Sequence, residues 1–230
     1  IVKFMSLILS IETSSKNCSV SLSKDGDLLD IVEENSESFS HAENLHIFCE
    51  KIINKAGFSF SKIDAYAFSE GPGSYTGLRI GAATVKGFAF CFDKPVILIS
   101  TLKAMAYAHK KRDRWLCPLM DSRKGEVYMA LYNSNMKALI EPQSHIVSDK
   151  SLREFLKDHK ISFFGTGLEK VQEFIKHQNA DFISDIFPSS KYLIELAHLK
   201  YSQEDFSNIS NFEPLYLKEF IPTKQKKNII

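Results

Sequence analysis

The chain has almost no net charge. Its 29 Lys and Arg against 28 Asp and Glu over 230 residues leave +1, so no overall field draws it to nucleic acid or an anionic membrane. Only TKQKKN near the end is locally basic, and it reads as a short solvated tail. No apolar run is long enough to span a bilayer. The opening IVKFMSLILSIE carries Lys3 and Glu12 and lacks a signal-peptide cleavage pattern; Met5 is a candidate natural start, and the expected location is the cytoplasm. Cys18, Cys49, Cys91 and Cys117 include no Cys-x-x-Cys pair and read as small core residues in a reducing compartment.

Catalytic signatures are also missing. There is no His-Glu-x-x-His and no Gly-x-Ser-x-Gly elbow, so neither a zinc site nor an activated serine of a peptidase is visible. His41 and His46 are five apart and point about 140° away from each other on a helix, which is unsuited to sharing a metal.

Five of the ten glycines fall in one stretch, SEGPGSYTGLRIGAATVKGFAF. It is not a Walker A loop, because Leu78-Arg79 follows Gly77 where Lys-Ser/Thr is required. Gly71, Gly73 and Gly77 are also spaced one residue too wide for Gly-x-Gly-x-x-Gly. From Tyr75 to Phe92 the only charges are Arg79 and Lys86, and a helix apolar all round needs cover on more than one side. Gly77, Gly81 and Gly87 each cost about 1 kcal/mol of helix propensity against alanine; close approach of other backbone is the offsetting gain. A helix internal to its own lobe and a helix shared with a partner both satisfy that argument. The turn Gly71-Pro72-Gly73 also presents free N–H groups, which suits an anion.

Around this stretch the chain alternates strands and helices. Leu7–Ile11, then Cys18, Val20 and Leu22 in alternation, then Leu28–Val32 past the Asp25-Gly26 turn, read as a three-strand meander. Residues 41–56 read as a helix, with a Ser40/Glu43 capping box, a stripe of Leu45, Phe48, Cys49, Ile52, Ile53 and Ala56, and a stop at Gly57. AYAFSE and PVILIS are strands flanking the glycine helix, and Leu102–Ala108 is a further helix. HKKRDR marks a boundary, dividing an N-terminal lobe (1–108) from a C-terminal lobe (109–230).

Beyond it, WLCPLMDSRKGEVYMALYNSN repeats the opening arrangement at the level of pattern, with Glu12 and Asp121 in equivalent places. Helices follow at 149–157 and 168–177, a strand at ISFFG, a helix capped by Ser189 or Ser190 and reaching Ser202, and a last strand and crossover at EPLYLKEFI. The fold class is α/β with two similar lobes. Glu12 and Asp121, each at a strand end before a polar turn, can be read in two ways. Facing each other across a cleft they would hold Mg²⁺ for an ATP-using enzyme; otherwise they bind the N–H groups of their own turns. The turns after them are poor in glycine, which disfavours close wrapping of phosphates.

LSIETSSKNCSVSLSKDG, KIDAYAFSEGPGSYTGLRIGAATVKGFAF, PVILISTLKAMA and MDSRKGEVYMALY resemble the TsaB (YeaZ) family, which takes part in making N6-threonylcarbamoyladenosine in tRNA. The likeness runs from residue 6 to about 132 and continues more loosely through FFGTGLEKV, PSSKYLIELA and EPLYLKE. It implies an actin-like ATPase fold (ASKHA, RNase H-like) and a non-catalytic subunit. That subunit would pair with a TsaD-like catalytic chain, pair with itself when alone, be joined by a TsaE-like ATPase, and reach tRNA through the complex.

The resemblance places the dimer surface on the two N-lobe helices. There the expected residues are Leu45, Phe48 and Ile52 on the first helix, and Gly77, Ile80, Gly81, Ala83, Thr84, Gly87 and Phe88 on the second. Gly71, Pro72, Gly73, Ser74, Thr76 and Arg79 match the family's motif loop, and Glu12 and Asp121 would mark a vestigial nucleotide cleft. TsaD-like sequences carry a His-x-x-x-His metal motif after the strand that follows the glycine helix. Here that place reads ISTLKAMA, so no cofactor is expected on this chain, and ATP and metal are expected on the partners.

Overall fold

The computed structural model describes residues 6–36, 41–110 and 113–218. Ser40 of the expected capping box, Met5 and the basic tail lie outside the described residues.

Two five-stranded sheets carry the fold. In the first, β1 (Leu7–Glu12), β2 (Asn17–Lys24), β3 (Asp27–Asn35), β4 (Ala65–Gly71) and β5 (Val96–Ser100) lie in the order β3-β2-β1-β4-β5. The meander β1–β3 is antiparallel, while β4 and β5 add parallel to β1. In the second, β6 (Trp115–Asp121), β7 (Glu126–Tyr132), β8 (Ala138–Ile146), β9 (Ile161–Phe164) and β10 (Ala180–Ile183) lie in the order β10-β9-β6-β7-β8. The pairing senses are the same, strand for strand. The repeat read at pattern level is therefore a repeat of topology, and Glu12 and Asp121 both close the first strand of their sheet.

Two layers cover the first sheet. Leu9, Ile11, Cys18, Val20 and Phe68 pack under α1 (His41–Lys55) and α2 (Tyr75–Phe92). The alternate residues Ile8, Ala65, Ala67, Ile97 and Ile99 meet α6 (Ile194–Ser202) and the 3-10 turn Ser190–Leu193 before it, so the chain returns late to its first sheet. That face is built from small side chains: Ser10, Ser21 and Ser23 are buried there beside the alanines, which lets the turn and helix approach closely. Between the sheets, α3 (Thr101–Ala108) places Leu102, Met105 and Ala106 against Leu116, Met120 and Phe164 of the second sheet. The second sheet's other face is filled by Leu156 of α4 (Arg153–Asp158) and by Leu168 and Val171 of α5 (Leu168–Phe174).

Several elements differ from the sequence reading. The helix expected at 149–157 begins only at Arg153, because Leu152 is left-handed at φ 56°. The helix expected to reach His177 ends at Phe174. Ser189 leads into the 3-10 turn without a side-chain cap. The strand expected at EPLYLKEFI is absent from 213–218, which runs without regular structure, and 219–221 lie outside the described residues. Strands β8 and β10 were not anticipated. Each lies at a sheet edge, where Pro142 is tolerated and four residues suffice.

Cys18, Cys49 and Cys117 are buried, and burial pushes the Cys18 thiol up to about 12. Cys91, however, is exposed on α2, on the outer side of that helix, which the other described residues do not cover.

Candidate functional site: an interlobe cleft and the outer face of two helices

The loops that follow equivalent strands face one another across a cleft of about 570 Å³. One wall is Ser14–Lys16 after β1 with Pro72–Tyr75 before α2; the other is Asp121–Arg123 after β6 with Thr166 after β9. A cleft outside the carboxyl ends of parallel strands is where α/β folds place ligands.

Its first wall is locked by its own chain. Ser14 N donates to Glu12 Oε1 at 2.5 Å, Ser74 N donates to Ser14 O at 2.6 Å, and His41 Nε2 donates to Ser15 O at 2.7 Å. The Ser74 hydroxyl accepts from Gly77 N, capping α2. A Cβ on Gly77 would overlap the Thr13 carbonyl oxygen. On Gly81 it would overlap the Thr13 hydroxyl and come within 2.5 Å of Phe68 Cε2, and on Gly73 it would overlap Ser14 O. Gly71, at φ +112°, has the left-handed backbone that favours glycine. These glycines bring α2 down onto the turn after β1. The close-packing reading holds, but the close partner lies within this chain: backbone carbonyls for Gly73 and Gly77, and the Thr13 and Phe68 side chains for Gly81.

The opposite wall is held by a lysine. Lys170 Nζ pairs with Asp121 Oδ1 at 2.5 Å and donates to the carbonyls of Ser122, Arg123 and Glu126 at 3.2, 2.8 and 3.2 Å. Asp121 N donates to Thr166 Oγ1. Lys170 was not anticipated. The sequence signal for it was its place in the first turn of the helix that follows the Gly165-Thr166-Gly167 turn.

Glu12 does not face the cleft. It is 1% exposed, and desolvation pushes its carboxyl above the usual carboxylate range, against hydrogen bonds from Ser14, Ser69 and Thr13 that pull the other way. A pair of carboxylates holding Mg²⁺ needs both in the cleft. Here Glu12 is inside its lobe and Asp121 is paired with Lys170, so the structure does not set two free carboxylates facing each other in the cleft. The turn-binding reading holds for Glu12 and not for the Asp121 carboxylate. Where a metal motif would follow β5, the Thr101 hydroxyl bonds Ser69 Oγ at 2.7 Å, and Ala104 and Met105 are core residues. Among the described residues, no group of three or more His, Cys, Asp and Glu is clustered.

The outer face of α1 and α2 is the second feature. Thr76, Ala83, Gly87 and Phe90 are exposed, and Ile80 is half-buried; their spacings of four, three, four and three residues make one stripe along α2. Phe90 is 81% exposed, and Ile47 on α1 is 58% exposed. No atom of the described residues lies within 4 Å of where a Gly87 Cβ would stand. Not all the expected interface residues sit here. Leu45, Ile52, Gly77, Gly81 and Thr84 are buried in this chain's own core, because the inward stripes of both helices are needed to cover the sheet. Phe48 and Phe88 are half-buried, and Phe88 stacks on Phe60 at 4.8 Å and Tyr66 at 5.6 Å. Of the motif-loop residues, Pro72, Gly73 and Ser74 line the cleft, whereas Thr76 and Arg79 are exposed. Ile47 and Phe90 are exposed large apolar residues that the sequence reading did not single out.

Among the described residues, no helix is long and apolar enough to cross a membrane. The family model described as TsaD: tRNA N6-adenosine threonylcarbamoyltransferase matches residues 35–220. The tRNA threonylcarbamoyladenosine biosynthesis protein TsaB of Haemophilus influenzae is 30% identical over 234 aligned positions, covering 95% of this chain and 96% of that protein. The solved structure of YeaZ from Pseudomonas aeruginosa superposes with a TM-score of 0.76 at 26% identity, over 93% of this chain and all of that one. The fold extends to the ethanolamine utilization protein EutJ of Carboxydothermus hydrogenoformans, with a TM-score of 0.51 at 10% identity over 84% of this chain and 89% of that one. With an actin-like ATPase fold of two similar lobes, this chain belongs to the TsaB (YeaZ) family of tRNA threonylcarbamoyladenosine biosynthesis proteins.

Proposed function

We propose that the chain is a non-catalytic subunit for N6-threonylcarbamoyladenosine synthesis in the cytoplasm. It binds a TsaD-like catalytic subunit through the outer face of α1 and α2 and activates threonylcarbamoyl transfer to the adenosine next to the anticodon. When alone it pairs with a second copy through the same face. A TsaE-like ATPase joins the assembly, tRNA is reached through the complex, and the ATP and metal chemistry belongs to the partners.

The observation that carries this reading is the stripe Thr76–Ile80–Ala83–Gly87–Phe90 on α2, together with exposed Ile47 on α1, a largely apolar surface that the described residues leave uncovered. Small residues flanking a large exposed aromatic let a second helix come close and then grip the ring. The locked turn after β1 and the buried Glu12 agree with a subunit that does not carry the transfer.

The deciding experiment is a reconstituted reaction with TsaD, TsaE, threonylcarbamoyl-adenylate and tRNA, read by nucleoside mass spectrometry. Modified nucleoside should form only when this chain is added, and equal product without it would overturn the reading. Ala83→Glu should abolish the gain while leaving the monomer folded, since Ala83 is exposed. A carboxylate buried unpaired in an interface costs about 3–5 kcal/mol, so TsaD affinity should fall by roughly a hundredfold or more. Wild-type affinity in this variant would place the interface elsewhere.

A further inference from the structure

The stretch after α6 leaves the first lobe and ends on the second. Ser207 bridges to Val96 at the β5 edge, and Phe212 is buried against Phe68 with Lys86 over its ring. Leu215 N then donates to Glu70 O at 2.7 Å. The Tyr216 ring lies 4.9 Å from Tyr75, whose ring is also covered by the Arg79 guanidinium at 4.2 Å. Two residues later, Lys218 forms an ion pair with Glu126 at the start of β7. Within six residues the chain is fastened to the first turn of α2 and to the second sheet, and Leu215–Lys218 line the cleft between them.

The lobes are also joined by the apolar seam of α3, where Leu102, Met105 and Ala106 are fully buried and none lines the cleft. A dry, packed seam is not the part of a two-lobed protein that gives way. The strap is of the opposite kind: irregular backbone, one backbone hydrogen bond, one ring contact, and an ion pair with both side chains 23% exposed. Contacts of that sort open and reclose without unfolding what they join.

We propose that residues 213–218 are a latch holding the two lobes closed over the cleft, with the Lys218–Glu126 pair as its catch and Tyr216 on Tyr75 as its anchor. Releasing the catch frees the loop after β6 and the first turn of α2 together, although the two segments belong to different lobes. The latch is a property of this chain alone and does not depend on the partner reading.

Hydrogen exchange of the full chain tests it. Lys218→Glu changes neither reporting segment, yet peptides covering 72–79 and 121–128 should both exchange several-fold faster while amides of β1 and β6 keep their wild-type protection. Glu126→Lys should loosen the same segments, and the double variant should return both toward wild type by restoring the pair in reverse. Tyr216→Ala should speed exchange in 72–79. Unchanged exchange in Lys218→Glu overturns the latch. So does faster exchange that includes β1 and β6, which would mark an ordinary stabilising contact, or a double variant as loose as the single ones.

Discussion

Gly77→Ala should destabilise the isolated chain by about 3 kcal/mol or more, a large effect for one added methyl group. The new Cβ would overlap the Thr13 carbonyl and come within 3.0 Å of His41 Cδ2. Neither neighbour can give way cheaply. Thr13 lies in the turn fixed by Glu12 and by the Ser14–Ser74 hydrogen bond, and the His41 ring is held on Ser15 O. To accommodate the methyl, the first turn of α2 must lift off the turn after β1, and the cap from Ser74 would be strained with it. Gly87→Ala is the matched control. It lies in the same helix, but no atom of the described residues stands within 4 Å of the added Cβ, so within the monomer only helix propensity changes, and monomer stability should rise by about 0.5–1 kcal/mol. Urea unfolding of the two variants beside wild type reads both effects. Equal losses would mean that the helix tolerates no side chain at either glycine and that the docking of α2 on Thr13 has no special weight.

The same pair of glycines shows what the sequence could and could not tell. Composition identified a helix that had to be approached closely, and the failed Walker spacing removed the phosphate loop. Nothing in the spacing said which glycine met which neighbour. Gly77 and Gly81 lie on the inward stripe and Gly87 on the outward one, but a helix apolar on every side has no polar stripe to mark its orientation. That is why Leu45, Ile52 and Thr84 were expected at an interface and lie in the core, while the exposed Phe90 and Ile47 were not singled out.

The topology was more legible. Strand, acidic residue, polar turn and strand recur at Glu12 and Asp121 because each half builds the same sheet. The edge strands β8 and β10 escaped because strands paired on one side only need little apolar patterning. The strap at 213–218 could not have been read at all. Its contacts are with Glu70, Tyr75 and Glu126, far away in sequence, and its backbone follows no period. The chemistry of the cleft was hidden for a related reason. A carboxylate at a strand end looks the same in sequence whether it turns into the lobe, as Glu12 does, or outward onto Lys170, as Asp121 does.

Glu12→Gln should raise the thermal midpoint at neutral pH by several degrees, and the gain should shrink to nothing in acid. Burial is the dominant influence on Glu12, holding its folded-state pKa above the ordinary 4.5. The folded chain therefore keeps a proton that the unfolded chain releases. Stability from this group is complete below about pH 4.5, where both states are protonated, and is lost as pH rises through the folded value. Glutamine has the same shape and carries no charge at any pH, so the variant loses that downward slope. Its side-chain oxygen can still accept from Ser14 N, and its NH₂ can still donate to the Ser69 hydroxyl that leads on to Thr101. Asp30 and Glu33 have lowered pKa values and act in the opposite sense, but they are common to both proteins and cancel in the difference. Glu12→Ala separates charge from packing. It leaves Ser14 N unsatisfied and a hole beneath the turn, so it should lose about 2–3 kcal/mol instead of gaining. A Gln variant less stable than wild type at pH 8 would mean that Glu12 works as an anion, and the carboxylate would again be a candidate for chemistry at the cleft.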